Sequence, residues 1–396
     1  MKIAHVVYQS VPNISGSSTR TKHIITAQRL AGFSPVVISS PCQAPINSDQ
    51  ATGAEVIDDV EYYRTHCFSG VSVGGKSSIS QKIKKIIAFP YFVYKLWRFS
   101  LKEKPVVLHA HAMFYCALAA LIVGRLLNIP TVYEIRSIWY INSNSNQYSL
   151  FKRIAISMER FAIRHCNTVI AISDGIKSEF SDIRDDIFIV RNAIQKDELG
   201  TAIDDSATFK RFGYIGSVIE LEGLDYVINA FASLKKVYPD IQFHIYGGGS
   251  KLEDLKRHAE KLGSPTVFHG QVKPSDINSC YRDLDCIINC RNDEVIAQLV
   301  TPLKPLEAIA LNKALICSNV KGYMEIIGGK ENAVVVNARD TSAIIDAVSY
   351  VMDDFNRDEI IKKIILAKDF IIENRTWESN MELHIEIYNE LLAHTK

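Results

Sequence analysis

The sequence predicts an α/β protein built from two Rossmann-like domains that face each other across a cleft. Short apolar runs alternate with amphipathic helical segments along almost the whole chain, which is typical of parallel sheets covered by helices. The alternation stops once, near residues 192–210, and then begins again. A chain of 396 residues is long enough for two or three domains.

The first domain is expected at residues 1–195. Short apolar runs predict its strands at 3–7, 36–39, 106–109, 131–135, 168–172 and 187–190. Helical patterns lie between these strands at 21–31, 80–101, 114–127, 150–165 and 175–180. Ligands of open parallel sheets bind beyond the carboxyl ends of the strands, so residues that follow strands are the candidates for a site.

A linker is expected at 196–210 and a second domain at 211–374. Strands of this domain are predicted at 211–215, 241–246, 266–268, 286–289, 314–317 and 333–336. Its first helix is predicted by a 3.6-residue apolar period at Leu224, Val227, Ile228, Phe231 and Leu234. Residues 375–396 are expected to form a last helix that packs back on the first domain.

The composition excludes several classes of protein. Hydrophobic residues make up 47% and charged residues 22% of the chain, which rules out a disordered or fibrous protein. A formal net charge of +1 argues against a general nucleic-acid-binding protein, which carries a basic excess. The first residues predict a strand rather than a signal peptide, and the longest apolar run, 112–124, is shorter than the roughly 18 residues of a membrane span. The eight cysteines include no Cys-x-x-Cys pair, so we expect reduced core thiols in a cytoplasmic protein.

The segment 291–317 is the most informative part of the chain. Thr301 is predicted to cap a helix that runs over 302–311, with two prolines in its first turn. A helix start favours anions, and Arg291 adds a positive charge suited to a diphosphate. Lys304 and Glu307 share one helix face, where a carboxylate can accept both hydroxyls of a ribose. The alternative is a capped helix in which Glu307 only complements the helix dipole.

The segment Thr301-Pro-Leu-Lys-Pro-Leu-Glu closely resembles the donor site of glycosyltransferase family 4, the retaining GT-B glycosyltransferases. The resemblance covers nearly the whole chain. It includes, in addition, Val107-Leu-His-Ala-His, Val132-Tyr-Glu-Ile-Arg, Tyr214-Ile-Gly-Ser, Ile245-Tyr-Gly-Gly-Gly, Phe268-His-Gly and Arg375-Thr-Trp-Glu. Together these segments are specific, although each alone is weak.

The resemblance implies roles for individual residues. His111 is expected beside the transferring sugar, and the loop that contains Gly16 is expected under the donor phosphates. Arg20 and Arg136 are expected on the acceptor side. The alternatives are a satisfied buried histidine for His111 and an exposed surface arginine for Arg20.

In the second domain the resemblance places donor contacts mainly on the backbone. Gly216, Ser217 and Gly248 follow strands, where glycine lets a backbone approach a phosphate. The glycine triplet 247–249 is equally well a simple turn. Val272 is implied to face the nucleobase. The backbone of Thr301, Leu303 and Lys304 is implied to hold the sugar or its phosphate.

Two positions depart from the family pattern. The family usually has two glutamates separated by seven residues; Glu307 matches the second, Leu299 stands in place of the first, and Glu294 is a candidate substitute. The usual Glu-Lys-Gly is replaced by Leu221-Glu222-Gly223. The positive charge at the diphosphate is therefore expected from Arg291 and Lys304, which with His111 are the predicted catalytic residues.

Residues 82–104 carry seven basic residues against one acid, with aromatic residues interleaved. This pattern suits the headgroup layer of an anionic membrane, and the alternative is a helix with a solvated basic face. Pro90 is predicted to kink or break the helix.

Asp283 and Asp285 have the spacing of a metal-binding pair, but a structural role at a strand entrance is the preferred interpretation.

The resemblance therefore implies a retaining glycosyltransferase of bacterial surface polysaccharide synthesis, and with the segment 82–104 we expect it to be peripheral on the inner face of the plasma membrane. Its partners would be a nucleotide sugar donor and a glycan or lipid-linked acceptor, with no nucleic acid. The resemblance implies no metal site and no obligatory cofactor. The alternatives are a GT-B sugar-nucleotide epimerase and a non-catalytic nucleotide-sugar-binding protein, the latter suggested by Leu299.

Overall fold

The computed structural model describes residues 1–13, 15–43, 52–65, 79–141, 150–200, 209–273 and 276–393. The chain divides into two compact units, which we call unit 1 (Met1–Arg191 with Trp377–Lys396) and unit 2 (Asn192–Thr376). Each unit contains one largely parallel sheet with helices packed on it. The predicted fold class, two Rossmann-like α/β domains, is confirmed.

The strands of unit 1 form one sheet. They are β1 (Lys2–Val7), β2 (Ser34–Ser39), β3 (Thr52–Ile57), β4 (Val60–Thr65), β5 (Val107–His111), β6 (Thr131–Ile135), β7 (Thr168–Ala171) and β8 (Phe188–Ile189). The helices between them are α1 (Gly16–Leu30), α2 (Ile79–Glu103), α3 (Phe114–Leu127), α4 (Leu150–His165) and α5 (Asp174–Glu179). The strand order is β3-β4-β2-β1-β5-β6-β7-β8, and only the β3–β4 pair is antiparallel among the described pairs.

Three features of unit 1 differ from the sequence predictions. The hairpin of β3 and β4 was not predicted. Helix α1 begins at Gly16, where a loop was expected up to Thr21, because Ser15 and Ser18 form a capping box. Helix α2 continues through Pro90. Pro90 lies on the exposed side of α2, while Phe92 and Leu96 hold the opposite side in the core.

The strands of unit 2 also form one parallel sheet, with the order β11-β10-β9-β12-β13-β14. They are β9 (Phe212–Ile215), β10 (Phe243–Tyr246), β11 (Thr266–Gly270), β12 (Cys286–Asn289), β13 (Ala314–Ser318) and β14 (Val334–Val336). The helices of unit 2 are α6 (Leu224–Leu234), α7 (Leu252–Leu262), α8 (Ile277–Arg282), α9 (Val295–Leu299), α10 (Lys304–Ala310), α11 (Lys321–Ile327), α12 (Thr341–Met352) and α13 (Arg357–Asn374). Helix α14 (Trp377–Ala393) returns to unit 1, where it packs on α1.

The unit boundaries lie a few residues from the predicted ones at 195 and 374. Ile194 belongs to unit 2 because its N–H donates to the Arg375 carbonyl at 2.9 Å and it bridges to Thr376. The start of the predicted linker is also packed on unit 2, since Lys196–Glu198 forms a 3-10 turn and the Gly200 N–H donates to Ala310. Residues 201–208 of that linker lie outside the described residues.

The seven cysteines of the described residues are buried free thiols, as expected, and Cys67 lies outside those residues. Asp285 accepts from the Arg211 side chain and from the N–H groups of Lys210 and Arg211. This is the structural role at a strand entrance that the sequence favours for the Asp283–Asp285 pair.

Candidate functional site

The site in unit 2 is built where β9 and β12 end side by side. The turn after β9 lies directly on the end of β12, because Gly223 has φ +62° and a Cβ there would stand 2.3 Å from the Cys290 carbonyl oxygen. Asn292 fixes this contact. Its N–H donates to the Leu221 carbonyl at 2.9 Å, and its Nδ2 donates to the Glu220 carbonyl at 2.8 Å. Glu222 is thereby placed beside residue 291.

Glu222 joins two cations from different elements. Its Oε1 lies 3.0 Å from Arg291 Nη2 and 3.0 Å from Lys304 Nζ, and Arg291 Nε donates to Oε2 at 3.4 Å. The carboxylate is only 2% exposed, whereas the side chains of Arg291 and Lys304 are 12% and 18% exposed. The group of three therefore has a net charge of +1 and presents its cations, not its anion, to solvent.

Lys304 lies in a slot formed by β9 and the residue that follows it. Its ammonium stands over the Tyr214 ring, 4.5 Å from the centroid, and donates to the Tyr214 hydroxyl. Gly216 has φ +148°, and a Cβ on it would come within 2.2 Å of Lys304 Cε. A side chain at position 216 would therefore move the end of Lys304 out of this slot.

The charges of this group depend on one another. Burial alone would raise the pKa of Glu222, but Lys304 and Arg291 lower it to about 2. Burial lowers the pKa of Lys304, and Glu222 opposes that shift. Burial alone would lower the pKa of Arg291, but Glu222, Tyr323 and Tyr214 together raise it above its usual range.

The predicted cap of the next helix is wrong. Helix α10 begins at Lys304 with Leu303 before it and no side-chain cap, so Pro302 lies outside the helix. Thr301 is buried, and it accepts from Asn192 Nδ2 at its carbonyl (2.8 Å) and at Oγ1 (3.2 Å). The helix starts later because Thr301 binds Asn192 instead of the helix amides.

Other predicted donor residues lie on the same unit. Glu307 is half-buried one turn after Lys304, and its Oε2 accepts from the Tyr281 hydroxyl at 3.0 Å. Ser217 is exposed, and the turns after β9 and β10 are joined by the Val218 N–H, which donates to the Gly248 carbonyl at 2.9 Å. Val272 is partly buried against the core.

The two residues at the departure from the usual glutamate pair lie at the ends of one short helix. Leu299 is the last residue of α9, and Glu294 directly precedes that helix. The predicted roles of all these donor residues stay predictions.

Unit 1 holds a second carboxylate between two cations. Glu134, in β6, is fully buried, and its Oε1 accepts from Arg20 Nε at 3.0 Å and from Arg136 Nε at 2.5 Å. Arg20 also donates to the Val190 and Arg191 carbonyls, at 2.7 and 2.9 Å. Arg20 is thus 2% exposed, which excludes the alternative of a surface arginine.

Arg136 begins a chain of buried hydrogen bonds. Because a guanidinium only donates, His111 Nδ1 accepts from Arg136 Nη2 (2.6 Å) and His111 Nε2 carries the proton. That proton is donated to His5 Nδ1 (2.7 Å), and His5 Nε2 donates to Gln28 Oε1 (2.8 Å). The order of donors fixes one neutral tautomer for each histidine.

The chain of hydrogen bonds then leads back towards the Glu134 carboxylate. Gln28 Nε2 donates to the Tyr388 hydroxyl at 3.0 Å, which donates to His109 Nδ1 at 2.7 Å. His109 Nε2 then lies 3.7 Å from Glu134 Oε2. This last distance is too long for a hydrogen bond, so the hydrogen bonds themselves run from Arg136 to His109. They link α1 and α14, the first and last helices of unit 1, to the strands β1 and β5 of its sheet.

The three histidines of this hydrogen-bond chain are neutral. Burial lowers the pKa of His5 to about 4 and those of His109 and His111 well below their usual range. Burial alone would raise the pKa of Glu134, but Arg136 and Arg20 lower it well below its usual range.

His111 is 1% exposed, and both of its ring nitrogens are engaged within unit 1. Its expected place beside the sugar stays a prediction. One ring nitrogen from each of His5, His109 and His111 lies within 4.8 Å of the other two, a spacing that could suit a metal ion. However, His111 Nε2 donates its proton to His5 Nδ1, so these two nitrogens together offer one lone pair rather than two.

The remaining predicted residue of unit 1 is Gly16, which is exposed as the first residue of α1. Sequence reasoning missed the roles of Glu134, His5, Tyr388 and Tyr214. A signal existed for Glu134, since a charged residue inside a strand as apolar as β6 requires buried partners.

Comparison with known protein families gives a match for each part of the chain. Residues 14–198 match the model of Glycosyltransferase Family 4, and residues 201–365 match that of Glycosyl transferases group 1. Among curated relatives, the glycogen synthase of Mycobacterium tuberculosis (strain CDC 1551 / Oshkosh) is 22% identical over 89% of this chain and 86% of that protein. The lipopolysaccharide core biosynthesis mannosyltransferase LpsB of Rhizobium meliloti (strain 1021) is 26% identical over 49% of this chain and 58% of its own length.

Among solved structures, Anabaena Alr3699/HepE in complex with UDP and glucose superposes with a TM-score of 0.72. The match covers 98% of this chain and 99% of that one, at 14% sequence identity. At this identity the similarity shows the fold.

Proposed function

This chain is a GT-B glycosyltransferase that combines a Glycosyltransferase Family 4 domain with a Glycosyl transferases group 1 domain, and we propose that it is a retaining enzyme. It transfers a sugar from a nucleoside diphosphate sugar to a hydroxyl of a glycan or lipid-linked acceptor. The product belongs to a bacterial surface polysaccharide.

The observation that carries this proposal is the pair of partly exposed cations, Arg291 and Lys304, at the carboxyl end of the unit 2 sheet. A leaving nucleoside diphosphate develops negative charge as the glycosidic bond breaks, and preorganised cations stabilise that charge. Glu307 lies one helical turn from Lys304, where it would hold the ribose. Arg291 and Lys304 supply the charge stabilisation, so the proposed reaction needs no obligatory metal.

The substrate class is supported by what similar proteins bind and make. HepE was solved with UDP and glucose, and LpsB is named as a mannosyltransferase of lipopolysaccharide core synthesis. A uridine, guanosine or adenosine diphosphate sugar is the expected donor.

A thermal-shift screen of UDP-, GDP- and ADP-sugars tests the donor class, because a ligand that binds only the folded state raises its melting point. Arg291→Ala is then expected to slow transfer by about 10²-fold or more, as loss of one charge-stabilising donor typically does. Arg211→Ala is the control, since it removes another arginine–carboxylate pair of unit 2 that precedes β9. Equal rates for the two variants would exclude Arg291 from the reaction.

We further propose that α2 contacts an anionic membrane surface. Among the described residues, no helix is long and apolar enough to cross a bilayer. Helix α2 nevertheless exposes an apolar stripe at Ile83, Ile87, Tyr94 and Leu101, with Ile86 beside it. Lys84, Lys95, Arg98 and Lys102 flank the stripe at helical spacing. An exposed apolar stripe with basic flanks is typical of a helix that lies in the headgroup layer.

Of the aromatic residues that suggested this contact, Phe92 and Phe99 are buried, and only Tyr94 is exposed. The isoleucines and lysines are therefore the residues to change, and the side chain of Lys82 lies outside the described ones. The triple variant Ile83→Ser, Ile86→Ser, Ile87→Ser should reduce sedimentation with vesicles that contain anionic lipid by about tenfold, because it removes three exposed apolar side chains that would enter the headgroup layer. The same changes at the exposed Ile365, Leu366 and Ile372 of α13 provide the control. Equal sedimentation of both variants and the wild type would contradict membrane contact through α2.

A further inference from the structure

We propose that Glu222 is a positioning residue that keeps Lys304 charged and holds it beside Arg291, so that a nucleoside diphosphate meets two cations. This inference rests on the proposed function and assigns Glu222 a role in donor binding. It explains why an anion stands at the centre of a site that is meant for an anionic ligand.

The first step is the contact geometry. Lys304 Nζ lies 3.0 Å from Glu222 Oε1, and Arg291 Nη2 lies 3.0 Å from the same oxygen. One carboxylate oxygen thus separates two positive charges that would otherwise repel each other. The fixed contact of the Glu222 turn with the end of β12 sets its position independently of the cations.

The second step concerns the surroundings of Lys304. The groups that face it are the Tyr214 hydroxyl from β9, Glu222, Arg291 after β12 and Glu307 on its own helix. Tyr323, on α11, lies against Arg291 at 5.6 Å from its ring centroid. Glu222 is the carboxylate in direct ion-pair contact with the ammonium, whereas Glu307 accepts from Tyr281.

The third step is the difference between the two cations. An arginine does not lose its proton in a protein, whereas a lysine does so readily when buried. Removal of the Glu222 charge therefore leaves a half-buried arginine next to a lysine that can relieve the repulsion by losing its proton. The diphosphate would then meet one cation, and binding would require a proton to be taken up.

A competing interpretation is that Glu222 only opposes the ligand. An anion next to a diphosphate repels it, so loss of the charge would then tighten binding at every pH. The two interpretations predict opposite signs for the same substitution, which makes the test decisive.

The experiment measures binding of UDP, GDP and ADP by calorimetry from pH 7.5 to 9.0, above the range in which a terminal phosphate titrates. The variants are Glu222→Gln, the control Glu220→Gln and the double variant Glu222→Gln/Lys304→Arg. Glu220 lies in the same turn, is exposed, and pairs with Lys251 instead. Buffers of different ionisation heat report proton uptake on binding.

Between pH 7.5 and 9.0, the nucleotide affinity of Glu222→Gln should fall by about tenfold more than that of the wild type, because a tenfold loss corresponds to one cation–phosphate contact. Binding to this variant should also take up a proton. Glu220→Gln should follow the wild type. The double variant should lose the extra pH dependence, because arginine stays charged. If Glu222→Gln yields little folded protein, Glu222→Asp should show the same trend in weaker form.

Tighter binding by Glu222→Gln, or weaker binding without added pH dependence, would overturn the inference while leaving the proposed function intact. A wild-type protein that binds none of the three nucleotides would contradict the proposed function itself, and this inference with it.

Discussion

Both units place a buried carboxylate between two cations at the carboxyl end of a sheet, but they expose those cations differently. In unit 1 the side chains of Arg20 and Arg136 around Glu134 are 2% and 5% exposed. In unit 2 the corresponding values for Arg291 and Lys304 are 12% and 18%. The arginines of unit 1 donate to backbone carbonyls, hydroxyls and a histidine, so their hydrogen-bonding capacity is used within the unit.

The difference shows how one electrostatic arrangement can serve two purposes. A buried ion pair whose charges reach no solvent mainly fixes the positions of the elements that carry it. A pair whose cations reach the surface can also meet an anionic ligand. We therefore expect Glu134 to be required for folding of unit 1, and Glu222 to be required chiefly for donor binding.

The largest expected effect is that of Glu134→Ala. Removal of one partner from a buried ion pair leaves uncompensated charges and typically costs about 3–5 kcal/mol. All three tryptophans, Trp97, Trp139 and Trp377, belong to unit 1, so the fluorescence change on urea unfolding reports on that unit alone.

Glu222→Ala is the matched variant and should leave the tryptophan transition where it is in the wild type. The comparison between the units would be broken if Glu134→Ala shifted that transition no more than Glu222→Ala does.

A second expected difference between the units concerns their stability at acidic pH. Burial lowers the pKa of His5 and of His384 to about 4 in the folded protein, against an ordinary value of 6.5. Between these values the unfolded chain binds protons that the folded chain does not, so the free energy of unfolding falls as the pH decreases below 6.5. At one pKa unit per 1.36 kcal/mol, each of these histidines costs about 2 kcal/mol at pH 5.

Other groups set the size of this acid effect. His109 and His111, whose pKa values lie still lower, act in the same direction. Glu159 acts in the opposite direction. Burial raises its pKa to about 7, so its protonation in the folded protein increases the free energy of unfolding as the pH falls. The pKa of Glu222 lies at about 2, so its contribution begins to be lost only when the pH falls through 4.5, where the unfolded glutamate titrates.

Unit 1 should therefore lose stability between pH 7 and pH 5, which urea titrations followed by tryptophan fluorescence at both pH values would measure. His5→Gln removes one titrating ring and should reduce the loss. A tryptophan transition that does not depend on pH in this range would contradict neutral histidines in the buried chain.

The sequence predicts the strands of both sheets better than it predicts the polar contacts between elements that are far apart in the chain. The bounds of β6 and β12 match the prediction, because each is a short run buried on both faces that is apolar except for Thr131 and Glu134 in β6 and Asn289 in β12. The hairpin of β3 and β4 escapes prediction because the alternation in β4 is short: the buried Val60 and Tyr62 flank the exposed Glu61, and the pattern ends there. Short alternating patterns of this kind are weak signals.

The polar contacts depend on residues that are far apart in the chain. Arg20 and Glu134 are 114 residues apart, and Gln28 and Tyr388 are 360 apart, so only the completed fold brings them together. The start of α10 was misplaced for the same reason, since the acceptors of Thr301 are used by Asn192, 109 residues away. Strand-end positions indicated where a site would lie, but not which charges would pair there.

The smallest expected effect on stability, and the sharpest test of the unit 2 slot, is Gly216→Ala. An alanine at φ +148° is strained by about 1–2 kcal/mol, and its methyl group would displace the Lys304 stem, which lies 2.2 Å from the ideal Cβ position. Gly263→Ala is the control because Gly263 also has a positive φ, +61°, but no atom lies within 4 Å of its Cβ position. Both variants should lose similar stability, whereas only Gly216→Ala should weaken nucleotide binding, by about tenfold for the loss of one charged contact. Equal nucleotide affinities for the two variants would mean that the position of Lys304 does not matter for the ligand, and unit 2 would then resemble unit 1 in using its cations only for structure.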